Sequence, residues 1–537
     1  MSAKGVAGWF AFFLAVVLAL QWVDGAYSSE FGGEPDEAAH YVTGLMVHDY
    51  LAAGLPGNPL RYAENYYAHY PKVALGHWPP GFYVAQAAWT LVFTPGRASV
   101  LALMAVLAAM TATLLFALIQ AEFGRWLALA GTLAFLLMPI VQQFYGDVMT
   151  EIPLALLFLL ATIYHARFIA TGSKWDSFWF GLCASAAILT KTSGLCLALL
   201  PVFSLLMLRR WSWLRSWAFW WSAVVVVVLC GPWTVLNLKN AGKGLLTEQS
   251  NWAYLKQAVP FYFIKLYVVA GAPIALLALV GFVTKMFGIN SNERRPFWVA
   301  AASFLAGFFV LTVTIQSGLE ARYWIPALPV VVLFAVAGFK RLVVWLTEHR
   351  VRRRTALRMA GGLIVICFAV ETVRFPHKGY AGFGAVAEKV LQDAPAKTAR
   401  YLVSSDARGE GMFIAEMAVR EKRPGHTVER ATKKLANSDW SGFGYQLTYR
   451  KKQTDTSGTP YHDARELSDL LAADGIEYIV LDESMPAKSR PAHEQMLADA
   501  LALGSSAYSL QATFPLERAG GFFPKALKVY QLKRINQ

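Results

Sequence analysis

Ala98-Ser-Val-Leu-Ala-Leu-Met-Ala-Val-Leu-Ala-Ala-Met-Thr-Ala-Thr-Leu-Leu-Phe-Ala-Leu-Ile119 runs for 22 residues without a charge. At about 1.5 Å of rise per residue a helix of that length covers roughly 33 Å, enough for the hydrocarbon core of a bilayer. A helix also satisfies its own backbone, as a segment without water must. Similar runs lie on both sides, at 5–23, 126–144, 151–169, 176–190, 194–208, 217–236, 262–285, 297–315, 323–346 and 357–374, so about eleven crossings are expected. Composition agrees: 56% of the 537 residues are hydrophobic and 16% charged, against about 45–50% and about 25% in soluble domains. The first run, preceded by Lys4, has the outline of a signal peptide. It reads as an uncleaved anchor, because the acidic cluster that follows makes sense only when held at a membrane surface.

Charge orients these runs. The formal net charge is +14, and the residues before Phe375 carry most of it. In a soluble protein that excess would point to nucleic acid; here the positive-inside bias of membrane loops explains it, and no nucleic-acid partner is implied. The stretch Pro80 to Thr94 is apolar but short. If it stays in the interface, Lys4 and the loops with Arg125, Arg167, Arg209, Arg294 and Arg350 to Arg358 all share one side. The opposite, extracytoplasmic face then receives the loop 24–79, the turns near Asp147, Lys191 and Glu320, and residues 375–537. The four cysteines, Cys183, Cys196, Cys230 and Cys367, lie in apolar runs and read as buried small side chains without disulfide or metal spacing.

Residues 375–537 mix 22 basic and 19 acidic residues evenly, as an ordinary soluble domain does. Strand-like runs at 400–405, 476–481 and 527–532 alternate with helix-like runs at 411–421 and 464–473, which predicts a small α/β domain. The polar stretch 425–460 reads as a long loop. The expected architecture is thus a polytopic all-α membrane domain with interfacial helices over 1–374, followed by this α/β domain.

Five stretches carry chemistry. In Glu34-Pro35-Asp36-Glu37-Ala-Ala-His40-Tyr41, Pro35 suits a first helical turn and Asp36 and His40 share a face at i, i+4; the alternative is two acids complementing a helix N-terminus. In Tyr145-Gly-Asp147-Val-Met-Thr-Glu151-Ile-Pro153 two acids stand one turn apart at membrane depth, either paired or coordinating, or an N-cap with a supporting Glu. Leu189-Thr-Lys191-Thr-Ser-Gly194 places a lone cation on the face that otherwise lacks them, as a phosphate ligand or a snorkelling lysine. Glu320-Ala-Arg322-Tyr323-Trp324-Ile-Pro326 offers a phosphate clamp or a Glu320–Arg322 pair beside an interfacial aromatic belt. Lys72 to Tyr83 brings His77 and Trp78 in front of Pro79-Pro80, for ligand or headgroup contact.

In order, spacing and shared sidedness these stretches resemble the GT-C superfamily of membrane glycosyltransferases, of the protein-mannosyltransferase and aminoarabinose-transferase type, over residues 1 to about 374. The resemblance implies an inverting enzyme of a bacterial inner membrane that moves a sugar from a polyprenyl-phosphate donor to an extracytoplasmic glycolipid, polysaccharide or protein. By analogy Asp36 is the general base, or the ligand of an activating cation, with Glu37 beside it. Lys191 and Arg322 face the donor phosphate; Glu37 and His40 orient the base; Asp147 contacts donor or acceptor. His77, Glu151, Glu320 and Tyr323 complete the expected substrate site. The resemblance leaves a divalent cation such as Mg or Mn open, with Asp36 and Asp147 its first candidates. The rival class is a polytopic transporter or lipid flippase, against which stand charges gathered on one face and no evident inverted repeat. A scaffold would leave Asp36, Asp147 and Lys191 unexplained.

Overall fold

The computed structural model describes residues 2–533 apart from 75, 77, 242–251, 288–294, 316–317, 347–349, 375–377, 394–397, 422–424, 437–458, 460, 462, 487, 489 and 518–525. The chain begins with the apolar α1 (Ala3–Val23), whose first turn is closed by the Ser2 hydroxyl accepting from the Gly5 amide at 3.3 Å. Three helices precede the next long one: α2 (Glu37–Ala52), α3 (Pro59–His69) and α4 (Gly81–Val92). Asn58 caps α3 and Pro59 fills its first turn, where a missing amide costs nothing. With twelve residues α4 spans about 18 Å, too little for a crossing, as expected of the Pro79-Pro80 segment.

The bundle continues with α5 (Arg97–Phe123), α6 (Arg125–Leu136), α7 (Pro139–Tyr145), α8 (Glu151–Thr171), α9 (Lys174–Thr190), α10 (Leu199–Leu208) and α11 (Trp217–Ala241). It closes with α12 (Trp252–Ala270), α13 (Ala272–Phe287), α14 (Arg295–Thr314), α15 (Leu328–Leu346) and α16 (Arg350–Arg374). Seven helices among the described residues are long and apolar enough to cross a membrane, nine if the bent pairs α6–α7 and α12–α13 each count as one span. Three expected runs account for most of the difference from eleven. The run at 176–190 forms the 17-residue α9, and the run at 194–208 is a 3-10 turn leading into the ten-residue α10. The run at 262–285 crosses a 113° bend at Gly271, whose φ of 78° only glycine adopts cheaply. A hydropathy window sees the apolar run and not the turn inside it.

The tightest helix contact joins α13 and α15 through two glycines. A Cβ on Gly281 would stand 1.8 Å from the Phe334 carbonyl oxygen, and one on Gly338 would stand 2.0 Å from that of Leu277. Small residues let helix backbones touch where lipid gives no hydrophobic drive for association. Of the cysteines, Cys183, Cys196 and Cys230 are buried as expected, whereas Cys367 is exposed on α16.

Beyond α16 stand α17 (Phe383–Asp393), β1 (Arg400–Ser404), α18 (Ala407–Arg420), β2 (Thr427–Arg430), α19 (Ala431–Lys434), α20 (Ala464–Ala473), β3 (Tyr478–Asp482), α21 (Ala492–Ala502), β4 (Tyr508–Pro515) and β5 (Ala526–Leu532). One sheet has the order β2-β1-β3-β5-β4, parallel across its first three strands and antiparallel across the last pairs. The expected loop 425–460 is corrected at its start, which holds β2 and α19; 437–458 lie outside the described residues. β4 and α21 have no counterpart among the expected runs. α18 packs on α2, so the sheet's helical layer rests on the loop between α1 and α5.

The α13–α15 seam makes a stability prediction. Gly338→Val lowers the melting temperature of the protein in detergent by the equivalent of about 1–3 kcal/mol or more, while Gly362→Val on α16, with no atom within 4 Å of its Cβ, leaves it unchanged. Equal melting of the two variants refutes the seam.

Candidate active site

The site grows from residues 24–36, a segment with little regular structure of its own. Arg97, at the start of α5, reaches back into it and donates to the carbonyls of Ala26 and Ser29 and, at 2.9 Å, to Glu37 Oε1. Glu37 is 0% exposed. Its Oε2 accepts from the Gly33 amide at 3.0 Å, and Oε1 also accepts from the Val148 amide at 3.3 Å. Glu37 therefore ties α2, the 24–36 loop, α5 and the Asp147 turn together. Gly33 must be glycine here: a Cβ would stand 2.1 Å from Asp147 Oδ1.

Asp36 turns the other way. One residue before α2 begins, its side chain keeps 34% of its surface exposed, and Oδ2 lies 2.9 Å from Arg322 Nη2. Burial pushes the Asp36 carboxyl up, but the Arg322 guanidinium outweighs it with help from His40 and Lys72, and the net value falls below the usual carboxylate range. Arg322 also pairs with Glu320 and lies 3.8 Å from Glu34. Glu34, which accepts from Gln143 Nε2 at 2.9 Å, is pushed up to about 7, chiefly by burial, with Arg322 opposing and Asp147 adding to the rise. Two neighbouring acids thus have opposite character near neutrality.

Behind Asp36, the buried His40 stacks on Trp78 with ring centroids 4.2 Å apart, and its Nδ1 sits 3.0 Å from the Tyr83 hydroxyl. Burial lowers the imidazole to about 4, although Asp36 and Glu151 pull it upward, so the ring is neutral at physiological pH. Lys191 pairs with the buried Glu151 at 2.6 Å and lies over the Tyr323 ring, 5.0 Å from its centroid. Glu151 Oε2 and Asp147 Oδ2 are buried without a hydrogen bond. Lys378, from beyond the last long helix, enters the same region: its ammonium is 2.5 Å from Asp147 Oδ1, 3.0 Å from the Gln143 carbonyl and 4.0 Å from Asp24.

The structure thus brings Asp36, His40, Glu151, Lys191, Glu320, Arg322 and Tyr323 to one end of the bundle. Asp147 stands on the other side of Gly33 and Glu34. His77 lies outside the described residues. Two local expectations are corrected. Asp147 and Glu151 do not share a helical turn, because α8 begins only at Glu151 with Thr150 at its N-cap, and the two acids take different lysines. Trp324 is buried, donating to the Tyr262 carbonyl at 2.9 Å, and is no interfacial belt. Asp36 and Glu37, consecutive where α2 starts, turn to different partners, Arg322 and Arg97. Sequence reasoning missed Arg97, Lys378 and Gln143. Lys378 carried one signal, as the first cation after the last apolar run, but the division at Phe375 placed it in the soluble part. Among the described residues no group of three or more His, Cys, Asp or Glu is arranged to hold a metal ion. Asp36 and Asp147 each face a protein cation instead.

Known proteins resemble this chain over part of its sequence and in its fold. Residues 77–235 match the family model described as dolichyl-phosphate-mannose-protein mannosyltransferase. That span holds the His77–Tyr83, Asp147–Glu151 and Lys191 stretches and excludes Asp36 and Arg322. The fold is similar to the crystal structure of ArnT from Cupriavidus metallidurans in the apo state, with 16% identity over 98% of both chains and a TM-score of 0.60. The same protein bound to undecaprenyl phosphate matches with 16% identity over 98% of both chains and a TM-score of 0.51. The Archaeoglobus fulgidus oligosaccharyltransferase in complex with Zn and sulfate matches with 12% identity over 87% of this chain and 67% of its own, at a TM-score of 0.54. No curated protein matches the chain.

The Glu37–Arg97 pair gives the site its testable weakness. Arg97→Leu strands a buried carboxylate and is expected to cost about 3–5 kcal/mol of stability. Arg97→Leu combined with Glu37→Leu recovers a large part of that loss in thermal unfolding, and a double variant as unstable as the single one contradicts the pairing.

Proposed function

We propose, taking as premise the resemblance to GT-C membrane glycosyltransferases that the family match and the fold bear out, that this enzyme moves a sugar from a polyprenyl-phosphate donor to an extracytoplasmic hydroxyl with inversion. The observation that carries this is Asp36: the carboxylate left partly exposed at the centre of the cluster and held ionised by Arg322. As the acceptor oxygen attacks the anomeric carbon from one face, its proton passes to Asp36. The bond from that carbon to the phosphate oxygen breaks on the other face, and the polyprenyl phosphate departs with the electron pair. Lys191 and Arg322 neutralise the departing charge, exchanging Glu151 and Glu320 for phosphate oxygens. Neutral His40, fixed by Trp78 and Tyr83, forms the wall behind Asp36. Glu37 is a positioning residue, with no face open to substrate. Asp147, paired with Lys378, packs directly against Gly33 and so shapes the loop that carries Asp36.

In this reading the N-terminus is cytoplasmic and the end of the bundle carrying the site faces outward, in keeping with the distribution of basic loops. Residues 1–374 hold the donor, and residues 375–537 form a domain covering the acceptor side.

Two measurements test the proposal. Purified protein in lipid vesicles, given a panel of radiolabelled polyprenyl-phosphate sugars and a membrane extract, transfers label from one donor, and Asp36→Asn slows that transfer by about 10²-fold or more. A well-folded wild type that transfers from none returns the reading to a transporter or flippase. Glu34 supplies a pH dependence. Protonated below about 7, it stops competing for Arg322, so polyprenyl phosphate binds more tightly at pH 6 than at pH 8, and Glu34→Gln removes the difference. An undiminished pH dependence in that variant excludes Glu34 as its source.

A further inference from the structure

A second set of cations stands beside Asp36, away from Lys191, in the seam between the α3 segment and the layer of α18, β2 and α19. Lys72 lies flat against α18: a Cβ on Gly411 would meet its Cε at 2.9 Å and its Nζ at 3.2 Å. Among the described residues its ammonium donates to main-chain oxygens, to Ala407 at 3.2 Å and weakly to Pro35 at 3.4 Å. The Pro35 carbonyl belongs to the peptide unit that enters Asp36. Across the seam Arg430 donates to the buried Glu410 at 2.7 Å, and Glu410 also accepts from the Thr432 amide and hydroxyl, at 2.9 and 2.6 Å. Lys433 donates to the Tyr67 hydroxyl and lies over that ring at 5.0 Å. The seam is closed at its far end by His69 Nδ1, 2.7 Å from the His426 carbonyl.

Three cations thus gather around Glu410, which is already bonded to Arg430, and Lys72 faces Asp36 as well. Among the described residues neither Lys72 nor Lys433 forms an ion pair. Burying an ammonium group is costly: burial first, then the neighbouring Arg430, lowers Lys72 to about 7 and Lys433 to about 8, and the nearby Glu410 offsets this only in part. An arriving anion would relieve both. None of these residues belongs to the donor-phosphate set, and the seam begins one residue from the base.

We infer that Lys72, Arg430 and Lys433 form an acceptor subsite for a phosphomonoester or carboxylate borne near the hydroxyl that Asp36 deprotonates. The assignment rests on the transfer proposed above and names the acceptor's chemistry: an anionic molecule, held by its charge at the seam while its hydroxyl reaches Asp36. Arg430 stays oriented by Glu410, and the two lysines supply mobile donors on either side.

Glycerol 3-phosphate, the soluble probe, is titrated into the full-length protein in zwitterionic nanodiscs with glycerol as the uncharged control, and polyprenyl phosphate is titrated separately. The phosphomonoester binds wild type and glycerol does not. Lys72→Gln with Lys433→Gln weakens that binding by roughly ten-fold or more and leaves polyprenyl phosphate binding unchanged. Lys72→Arg, which retains the charge, preserves it and separates lost charge from lost fold. Lys191→Gln shows the opposite split. No binding of glycerol 3-phosphate, binding that survives the double lysine variant, or a parallel loss of polyprenyl phosphate overturns the subsite. These readings need no sugar transfer, so a failure of the glycosyltransferase reading registers separately.

Discussion

A carboxylate with no access to water, Glu37, fixes the shape of the loop on which the whole site is built. Its oxygens accept from Arg97 and from two backbone amides 115 residues apart, at Gly33 and Val148. A buried charge tolerates neither a missing partner nor a loose one, so the loop has a single conformation available to it. That conformation presses Gly33 against Asp147, and Asp147 in turn takes Lys378. The loop, the α7–α8 turn and the start of the C-terminal part therefore form one electrostatic unit.

The same constraint explains why two adjacent acids differ so much. Asp36 stands one residue before α2 and Glu37 is its first residue, about 100° apart around the axis. One faces the bundle's interior and must be neutralised there; the other faces the open end and keeps a third of its surface. Arg322 holds Asp36 ionised but does not cover it, the state a proton acceptor needs before substrate arrives. Near it Glu34 is drawn up by burial and His40 down, so three groups within a few residues are acidic, half-titrated and neutral at the same pH. Environment separates roles that residue type alone leaves identical.

The apolar spans and the residues gathered at one end of the bundle were legible in the sequence because both depend on local order: hydropathy over some 20 residues, and short motifs at span ends. Lys191 stood out by breaking the charge pattern around it and Asp36 by its place just after the first span, while Arg322 read equally well as a partner of Glu320. Their partners did not stand out. Arg97 looks like an ordinary charge at the start of an apolar run, and Lys378 like an ordinary surface lysine; only the fold brings them 60 and 231 residues back along the chain to Glu37 and Asp147. Likewise the 113° bend at Gly271 is invisible to a window that averages over it. What the sequence hides is pairing between segments, and in lipid pairing decides which charges are structural.

That distinction bears on the C-terminal part. Glu30 accepts from three successive amides, Gly382, Phe383 and Gly384, at 2.8–3.0 Å, where α17 begins. Helix N-termini bind carboxylates well because their first amides have no partner within the helix. The contact uses three amides at the start of α17 and both oxygens of Glu30, so it is an internal joint. With Lys378 a few residues earlier, it anchors the sheet to the loop that carries Asp36. The sheet, fastened there, is held at a fixed distance from Asp36. The packing of α18 on α2 completes that joint, and its two halves come from segments far apart in the chain.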